Sequence, residues 1–135
     1  YKGFSQPIFS GDGLDTSTIL TLNEKQSKDI YIVSIFNPDS SNDTTLNFVK
    51  KFRETYKKNP DIWSSQGYDC LKLIAKVMID AKSCDPRIVA PQLKKIENWR
   101  GVTGNHTFLE NGDVTGKQHT LKTIQNNKFI YKDIK

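Results

Sequence analysis

The chain has 135 residues, of which 36% are hydrophobic and 26% charged, and its formal net charge is +5. This length suits one modest domain, and the apolar fraction supports a folded core and argues against disorder. No apolar run is long enough to span a bilayer. The lysines are densest at Lys50, Lys51, Lys57 and Lys58, but acidic residues are interleaved and no stacking pattern of aromatic residues accompanies them, which argues against a nucleic-acid partner.

A short apolar run, PIF at residues 7–9, predicts the first strand. The stretch SGDGLD follows it, with Asp12 between Gly11 and Gly13, and the next residues suit a short helix. A carboxylate between two glycines at such a junction is either an ordinary turn with a local cap or a contact to a bound molecule.

The run Ile30–Phe36 is β-branched or aromatic almost throughout. An uninterrupted run of this kind is typical of a strand buried on both faces, as in a parallel sheet. The break at Asn37-Pro38-Asp39 ends it.

Three helical patterns follow, separated by Asn-Pro and Asp-Pro breaks. The first carries an apolar face at four-residue spacing, and the third begins with Asp85 as N-cap and Pro86 at the first helical position. The second runs from about Trp63 to Ala81. Its predicted buried stripe consists of Tyr68, Leu71, Ala75 and Met78, with Ile74 alongside.

The remaining sequence predicts strands and turns. GVTG at 101–104 is a turn, residues 105–109 are strand-like, ENGD at 110–113 is a hairpin turn, and two final strands flank Asn126-Asn127. This order of elements indicates the α/β class. Three successive helices without a strand between them do not complete a doubly wound sheet, so we expect a piece of a larger fold.

The cysteines and histidines indicate neither a disulfide nor a metal centre. Cys70 and Cys84 are separated by roughly 21 Å of predicted helix, too far for a disulfide. Cys70 is expected to be buried as a small hydrophobic residue. Neither His106 nor His119 has a partner at metal-binding or catalytic spacing, so no metal, no cofactor and no enzymatic activity are expected.

Four blocks in chain order carry a family resemblance. They are PIFSGDGLD, IYIVSIFNPDS, FVKKFRETYKKNPDIWSSQGYDCLKLIAKVM and WRGVTGNHTFLENGDVTGK. Together they resemble the C-terminal portion of the type I periplasmic solute-binding proteins of ABC transporters, the leucine/isoleucine/valine-binding family. The resemblance covers nearly the whole chain. It implies an α/β, partial Venus-flytrap fold, in which a mostly parallel sheet is flanked by helices and ligand is held between two lobes.

The resemblance also implies a division of the chain. Residues 1–36 would be the end of lobe two and a crossover strand, and residues 37–116 the helical block of lobe one with its hairpin turn. Residues 117–135 would return to lobe two as the final strands. The chain would then hold only part of the interlobe cleft.

Two positions carry over from family members that bind amino acids. An acidic residue where Asp12 stands pairs with the α-ammonium group, and an aromatic residue where Trp63 stands contacts the ligand side chain. The resemblance therefore implies ligand contacts at Asp12, with Gly11 and Gly13 admitting the backbone closely, and at Trp63. The alternatives are a glycine-flanked turn capped by Asp12 and a core role for Trp63. Tyr68 and Asp69 of the GYD block are expected to orient their helix by packing and hydrogen bonding rather than to contact the ligand.

The implied function is binding rather than catalysis. The protein would bind a small amino-acid-like ligand in the periplasm or outside the cell, as a free or lipid-anchored full-length protein, and deliver it to the permease of an ABC transporter. The alternatives are a ligand-sensing extracellular receptor domain with the same fold, or a fragment with no binding activity of its own. Exposed sheet edges also predict a homodimer of the chain.

Overall fold

The computed structural model describes residues 6–22 and 24–133, and these residues form two sheets with helices packed around them. The strands are β1 (Ile8–Ser10), β2 (Ile30–Ser34), β3 (Trp99–Arg100), β4 (Gly104–Phe108), β5 (Val114–Lys117), β6 (Thr120–Gln125) and β7 (Lys128–Asp133). The helices are α1 (Glu24–Ser27), α2 (Asp43–Tyr56), α3 (Ile62–Ala81) and α4 (Pro86–Leu93). Two 3₁₀ turns, Asp12–Leu14 and Ser17–Thr21, follow β1.

The first sheet has the strand order β1-β2-β6-β7. Strands β1 and β2 are parallel, whereas β2 with β6 and β6 with β7 are antiparallel. The expectation of a mostly parallel sheet therefore does not hold within the described residues. The reason is the last two strands, which form a hairpin and must run antiparallel. Asn126 and Asn127 make its two-residue turn with φ of 49° and 57°, as the Asn-Asn pair predicts.

The apolar run 30–36 serves two cores rather than one strand buried on both faces. Strand β2 ends at Ser34, and its residues alternate in burial, with Val33 37% exposed. The first core cluster contains Ile19, Ile30, Ile32 and Ile124. The second contains Phe36, Phe48, Val49, Ile62 and Val102. The run is uninterrupted because the chain leaves one core at the end of β2 and enters the other at Phe36.

Side-chain caps set where the long helices begin. Asp61 accepts a hydrogen bond from the Ser64 amide at 2.8 Å, and the Ser64 hydroxyl accepts one from the Asp61 amide at 2.8 Å, which is a capping box at the start of α3. Asp85 accepts from the Arg87 amide at 2.9 Å, with Pro86 in the first turn of α4. The predicted extent of the second helix and the start of the third are confirmed.

The predicted buried stripe of α3 is wrong for the described part of the chain. Leu71 is 72% exposed and Ala75 is also exposed. The buried side chains are those of Ile62, Ser65, Asp69, Leu73 and Val77. Helix α4 and the second sheet face Asp69 and Leu73, whereas Ile74 and Met78 of the predicted stripe are half-buried and its other members are exposed. Cys70, expected to be buried, is exposed and borders the cavity between α3 and the second sheet, and both cysteines are free.

The second sheet is antiparallel, with the order β3-β4-β5. The predicted turn at 110–113 joins β4 to β5. In it the Leu109 amide donates to the Asp113 carbonyl at 2.8 Å, and the Gly112 amide donates to the Leu109 carbonyl at 2.9 Å. Gly112 has a φ of 91°, so only this position of the Asn-Gly pair requires glycine.

Candidate ligand cleft

A cleft of about 760 Å³ lies between the first sheet and the helices α2 and α3. The first-sheet side contributes Asp15, Thr16, Ser17, Leu20, Lys122, Lys128, Phe129 and Tyr131. The opposite side includes Phe36, Pro38, Phe52, Pro60, Asp61 and Trp63. The segments that follow the carboxyl ends of the parallel strands β1 and β2 both line it, which is where open α/β sheets hold their ligands.

Trp63 lies in the first turn of α3 and is 58% exposed. Its side chain lines the cleft and also borders a second cavity of about 530 Å³ between α3 and the second sheet. Asp61 and Ser64 form the capping box that fixes the start of this helix, and they flank Trp63 in sequence. A large exposed ring held on a capped helix is suited to contacting an apolar group in the cleft.

Gly11, Asp12 and Gly13 follow β1 directly and are all exposed, but they do not line this cleft. Gly11 has a φ of −79°, and neither glycine has a positive φ. Apart from each glycine and its chain neighbours, no described residue has an atom within 4 Å of the position that a Cβ would take at Gly11 or Gly13. Nothing within the described chain therefore requires glycine here, and the space beside Asp12 is open to a bound molecule. Asp12 and Trp63 as ligand contacts stay predictions.

A buried ion pair forms part of the cleft wall on the first-sheet side. Lys122 Nζ donates to both carboxylate oxygens of Asp15, at 2.6 and 2.7 Å, and the Ser34 hydroxyl donates to the same carboxylate at 2.5 Å. Asp15 and Lys122 are only 3% and 2% exposed. Asp15 is thus an ion-pair partner, while Thr16 caps the following 3₁₀ turn through the Thr18 amide.

Two aromatic rings of β7 lie beside the ammonium group of Lys122. Its Nζ lies 5.0 Å from the centre of the Phe129 ring and 5.1 Å from that of Tyr131. Burial lowers the pKa of Lys122 below its ordinary value, and the hydrogen bond and charge of Asp15 offset part of this effect. Burial, together with the negative charges of Asp15 and Asp39, raises the pKa of Tyr131 well above 10.

Sequence reasoning did not single out Lys122, although the sequence carries a signal for it. In β6 the residues Thr120, Lys122 and Ile124 share one face, and all three are buried. Alternation along the strand therefore places a lysine at an inward position between two buried neighbours. A lysine there needs an anionic partner, and the partner, Asp15, is more than a hundred residues away.

A second buried carboxylate, that of Asp69, joins α3 to the GVTG turn. It accepts hydrogen bonds from the Val102 amide at 2.8 Å, the Thr103 amide at 2.9 Å and the Thr103 hydroxyl at 2.6 Å. His106 Nε2 lies 3.3 Å from the same carboxylate and 3.1 Å from the Thr103 hydroxyl oxygen. The predicted orienting role of Asp69 agrees with these contacts.

Charges of both signs surround the cleft. Besides the buried pair, the side chains of Arg53, Lys58, Lys128, Asp39 and Asp61 line it. The described part of the chain has no group of three or more His, Cys, Asp or Glu side chains placed to hold a metal ion. None of the helices in residues 6–22 and 24–133 combines the length and apolar character needed to cross a membrane.

The chain is similar to several solved binding proteins. The leucine binding protein LivK from Thermotoga maritima superposes with a TM-score of 0.85 at 25% sequence identity, over 96% of this chain and 37% of that one. The branched-chain amino acid transporter substrate binding protein LivJ from Streptococcus pneumoniae, in complex with isoleucine, gives 0.84 at 25% identity, over 98% and 38%. An ABC transporter substrate-binding protein from Desulfitobacterium hafniense, in complex with Leu, gives 0.83 at 29% identity, over 96% and 36%.

The chain therefore spans little more than a third of the length of these proteins. A comparison with curated protein sequences gives no match. The expected fold, part of a Venus-flytrap binding protein with a sheet flanked by helices, is confirmed by these superpositions. The sequence pattern of the periplasmic binding protein family matches residues 2–125, and the chain belongs to this family.

Proposed function

We propose that the chain is the C-terminal part of an extracytoplasmic solute-binding protein, which binds a small amino-acid-like ligand between two lobes and delivers it to an ABC transporter permease. The observation that carries the proposal is the cleft beyond the carboxyl ends of β1 and β2, lined from both sides and bordered by Trp63. Similar proteins are described as complexes with leucine and with isoleucine, which supports an amino acid as ligand class. We expect binding without catalysis.

In this proposal the ligand extends beyond the residues that line the cleft to Asp12, which lies three positions before the cleft-lining Asp15 and binds the α-ammonium group. Its carboxylate is exposed and makes no hydrogen bond to any described residue, so it is free to accept from a ligand. Both neighbours are glycines without side chains to obstruct the approach. Trp63 contacts the apolar side chain of the ligand from the opposite side. Ligand that contacts both lobes stabilises the closed arrangement that a permease recognises.

The test is calorimetric titration of the full-length protein with the twenty standard amino acids, repeated for Asp12→Ala. A hydrogen bond to a charged group contributes about 1.5–3 kcal/mol, so affinity for the bound amino acid should fall by about 10- to 150-fold. Asp80→Ala removes an exposed carboxylate of α3 that pairs only with Lys76 and should leave affinity unchanged. Unchanged affinity in Asp12→Ala would disprove the ammonium contact.

Trp63→Ala tests the contact of Trp63 with the ligand side chain independently of the contact of Asp12 with the ammonium group. A lost apolar contact weakens binding of L-leucine more than that of L-alanine, because the larger side chain buries more apolar area against the ring. Equal loss for both amino acids would assign Trp63 to helix packing rather than to ligand recognition.

A further inference from the structure

The turn that carries Asp12 runs from the end of β1, where Ser10 pairs with Ile32 of β2, to the buried residue Asp15. Residues 11–14 are all exposed, and Asp15 is the first buried position after β1. The Asp15 amide donates to the Asp12 carbonyl at 2.9 Å, which closes the 3₁₀ turn. Because Gly11 and Gly13 add no side-chain packing, strand β1 fixes one end of the turn, and the position of Asp12 depends also on how firmly Asp15 is fixed at the other end.

Asp15 is fixed from the far end of the chain. Lys122 of β6 donates to both of its carboxylate oxygens, and Ser34 at the end of β2 donates to one of them. The ammonium group of Lys122 itself lies over the rings of Phe129 and Tyr131. The pair therefore ties the turn to three strands of the first sheet, β2, β6 and β7.

Stability alone does not account for a buried ion pair of this kind. Desolvation of two charges offsets most of their attraction, and apolar pairs of similar volume are often as stable. What a bidentate, hydrogen-bonded pair adds is a defined geometry, since the carboxylate has one orientation that satisfies both Lys122 and Ser34. The geometry of Asp15 matters here because Asp12, the proposed ligand contact, lies three positions earlier in the same turn.

We propose that Lys122 is a positioning residue for the ligand site, which acts through Asp15 to hold the turn that presents Asp12 to the ligand. The inference rests on the proposed function for the role of Asp12. It adds a site residue that no sequence block indicated and that lies in the last strands of the chain.

The first test needs no ligand. Hydrogen–deuterium exchange of the full-length protein is measured for the peptide covering residues 11–16 in wild type, Lys122→Met and Lys132→Met. Lys132 is an exposed lysine of β7 and serves as the matched control. Exchange in this peptide should rise at least tenfold in Lys122→Met and stay at the wild-type rate in Lys132→Met. Equal exchange in all three proteins would overturn the proposal.

The second test is a double-mutant cycle on affinity for L-leucine. Lys122→Met should weaken binding at least tenfold in the wild-type background and less than twofold in the Asp12→Ala background, because it acts through Asp12. The same loss in both backgrounds would mean that Lys122 acts on the fold and not on Asp12. If Asp12→Ala itself leaves affinity unchanged, the proposed function loses its anchor, and the exchange measurement still decides whether Lys122 holds the turn.

The double variant Asp15→Leu with Lys122→Met, which has no charge at either position, tests whether Lys122 only stabilises the fold or also positions the ligand site. This variant restores an apolar contact in place of the ion pair and should unfold at a denaturant concentration close to that of wild type. Its affinity for L-leucine should nevertheless stay at least tenfold weaker, since no bond orients the turn. Wild-type affinity in this variant would contradict a positioning role.

Discussion

Asp69 illustrates how one carboxylate fixes a turn that has no regular structure of its own. The amides of Val102 and Thr103 point at its two oxygens and find no strand partner there, so the carboxylate takes the place of a sheet ladder. A Cβ at Gly101 would lie 2.6 to 2.8 Å from the Asp69 carboxylate, so the turn approaches α3 as closely as only glycine permits.

Asp69→Ala should lower the free energy of unfolding of the full-length protein by about 3 kcal/mol or more. The change leaves two buried amides and one hydroxyl without acceptors, and each costs roughly 1–3 kcal/mol before local relaxation. Lys72→Ala, at an exposed position of the same helix, should change stability by less than about 0.5 kcal/mol. Urea denaturation measures both, and a similar small effect in the two variants would contradict the account of Asp69.

Tyr131 should make the protein sensitive to alkali. Its pKa is raised in the folded state, so above pH 10 the unfolded chain loses the phenol proton while the folded protein retains it. Stability contributed by Tyr131 is therefore complete below pH 10 and declines as pH rises, by at most about 1.4 kcal/mol per pH unit. The lowered pKa of Lys122 acts in the opposite direction, since stability rises with pH between its folded and unfolded values.

Urea unfolding at pH 9, 10 and 11 tests this dependence. Tyr131→Phe removes the titrating group and keeps the ring beside Lys122, so the decline above pH 10 should become shallower. Tyr56→Phe, at a 60% exposed position, should reproduce the wild-type profile. A decline in Tyr131→Phe as steep as in wild type would assign the alkaline sensitivity to other groups.

For single residues, the sequence indicates which polar side chains have a structural role, but it does not indicate which residues they pair with. The GYD block identifies Asp69 as an orienting residue, and its contacts agree. Asp15, by contrast, lies in a short polar stretch that gives no sign of its partner, and that partner, Lys122, lies near the other end of the chain. Local patterns contain no information on a pair that long-range strand pairing brings together.

Helix α3 begins where its side-chain cap places it. Asp61→Ala should destabilise the protein by about 1 kcal/mol, because the Ser64 amide loses its acceptor and the capping box is broken. Asp80→Ala near the end of α3 removes the same charge from an exposed pair with Lys76, where a loss below about 0.5 kcal/mol is expected. Denaturation curves that shift equally for both would argue against the cap.

The Asp61 cap also predicts an acid dependence. Burial opposes ionisation of this carboxylate, but its hydrogen bonds with Ser64 and its own backbone, and the charge of Lys58, outweigh burial and lower its pKa below 3.8. Its contribution is thus present above pH 3.8 and is lost as pH falls further. The difference in stability between wild type and Asp61→Ala should accordingly shrink below pH 3.8.

The sequence predicts which helices and strands exist, and where they begin and end, better than it predicts which of their faces are buried. The α3 boundaries follow from Asn-Pro-Asp before it and from the polar stretch after it. The inward face of α3 does not follow from the sequence. Leu71 and Ala75 have the spacing of a core stripe, whereas Asp69 and Ser65 are the buried positions. Which face of an amphipathic helix is covered depends on neighbouring elements, and α4 and the second sheet cover the more polar one.

Two kinds of surface on the whole molecule favour self-association of the 135-residue chain by itself. Among the described residues, strand β1 lies at the edge of the first sheet, and its Phe9 is 70% exposed. Helix α3 presents Leu71 and Ile79 at 72% and 74% exposure, so the chain leaves an apolar helix face uncovered. Exposed edges pair with other strands, and contiguous apolar patches associate.

Light scattering of the isolated chain should therefore give a mass that rises above that of one copy as concentration increases. Phe9→Lys tests the edge, and Leu71→Lys with Ile79→Lys tests the helix face, because a charge in either contact must be desolvated on association. If only the edge variant lowers the mass, strand pairing joins the copies, as the sheet edges predict. If only the helix variant does, the uncovered face of α3 is the contact and the edge prediction is wrong. A constant single-copy mass at all concentrations would contradict both.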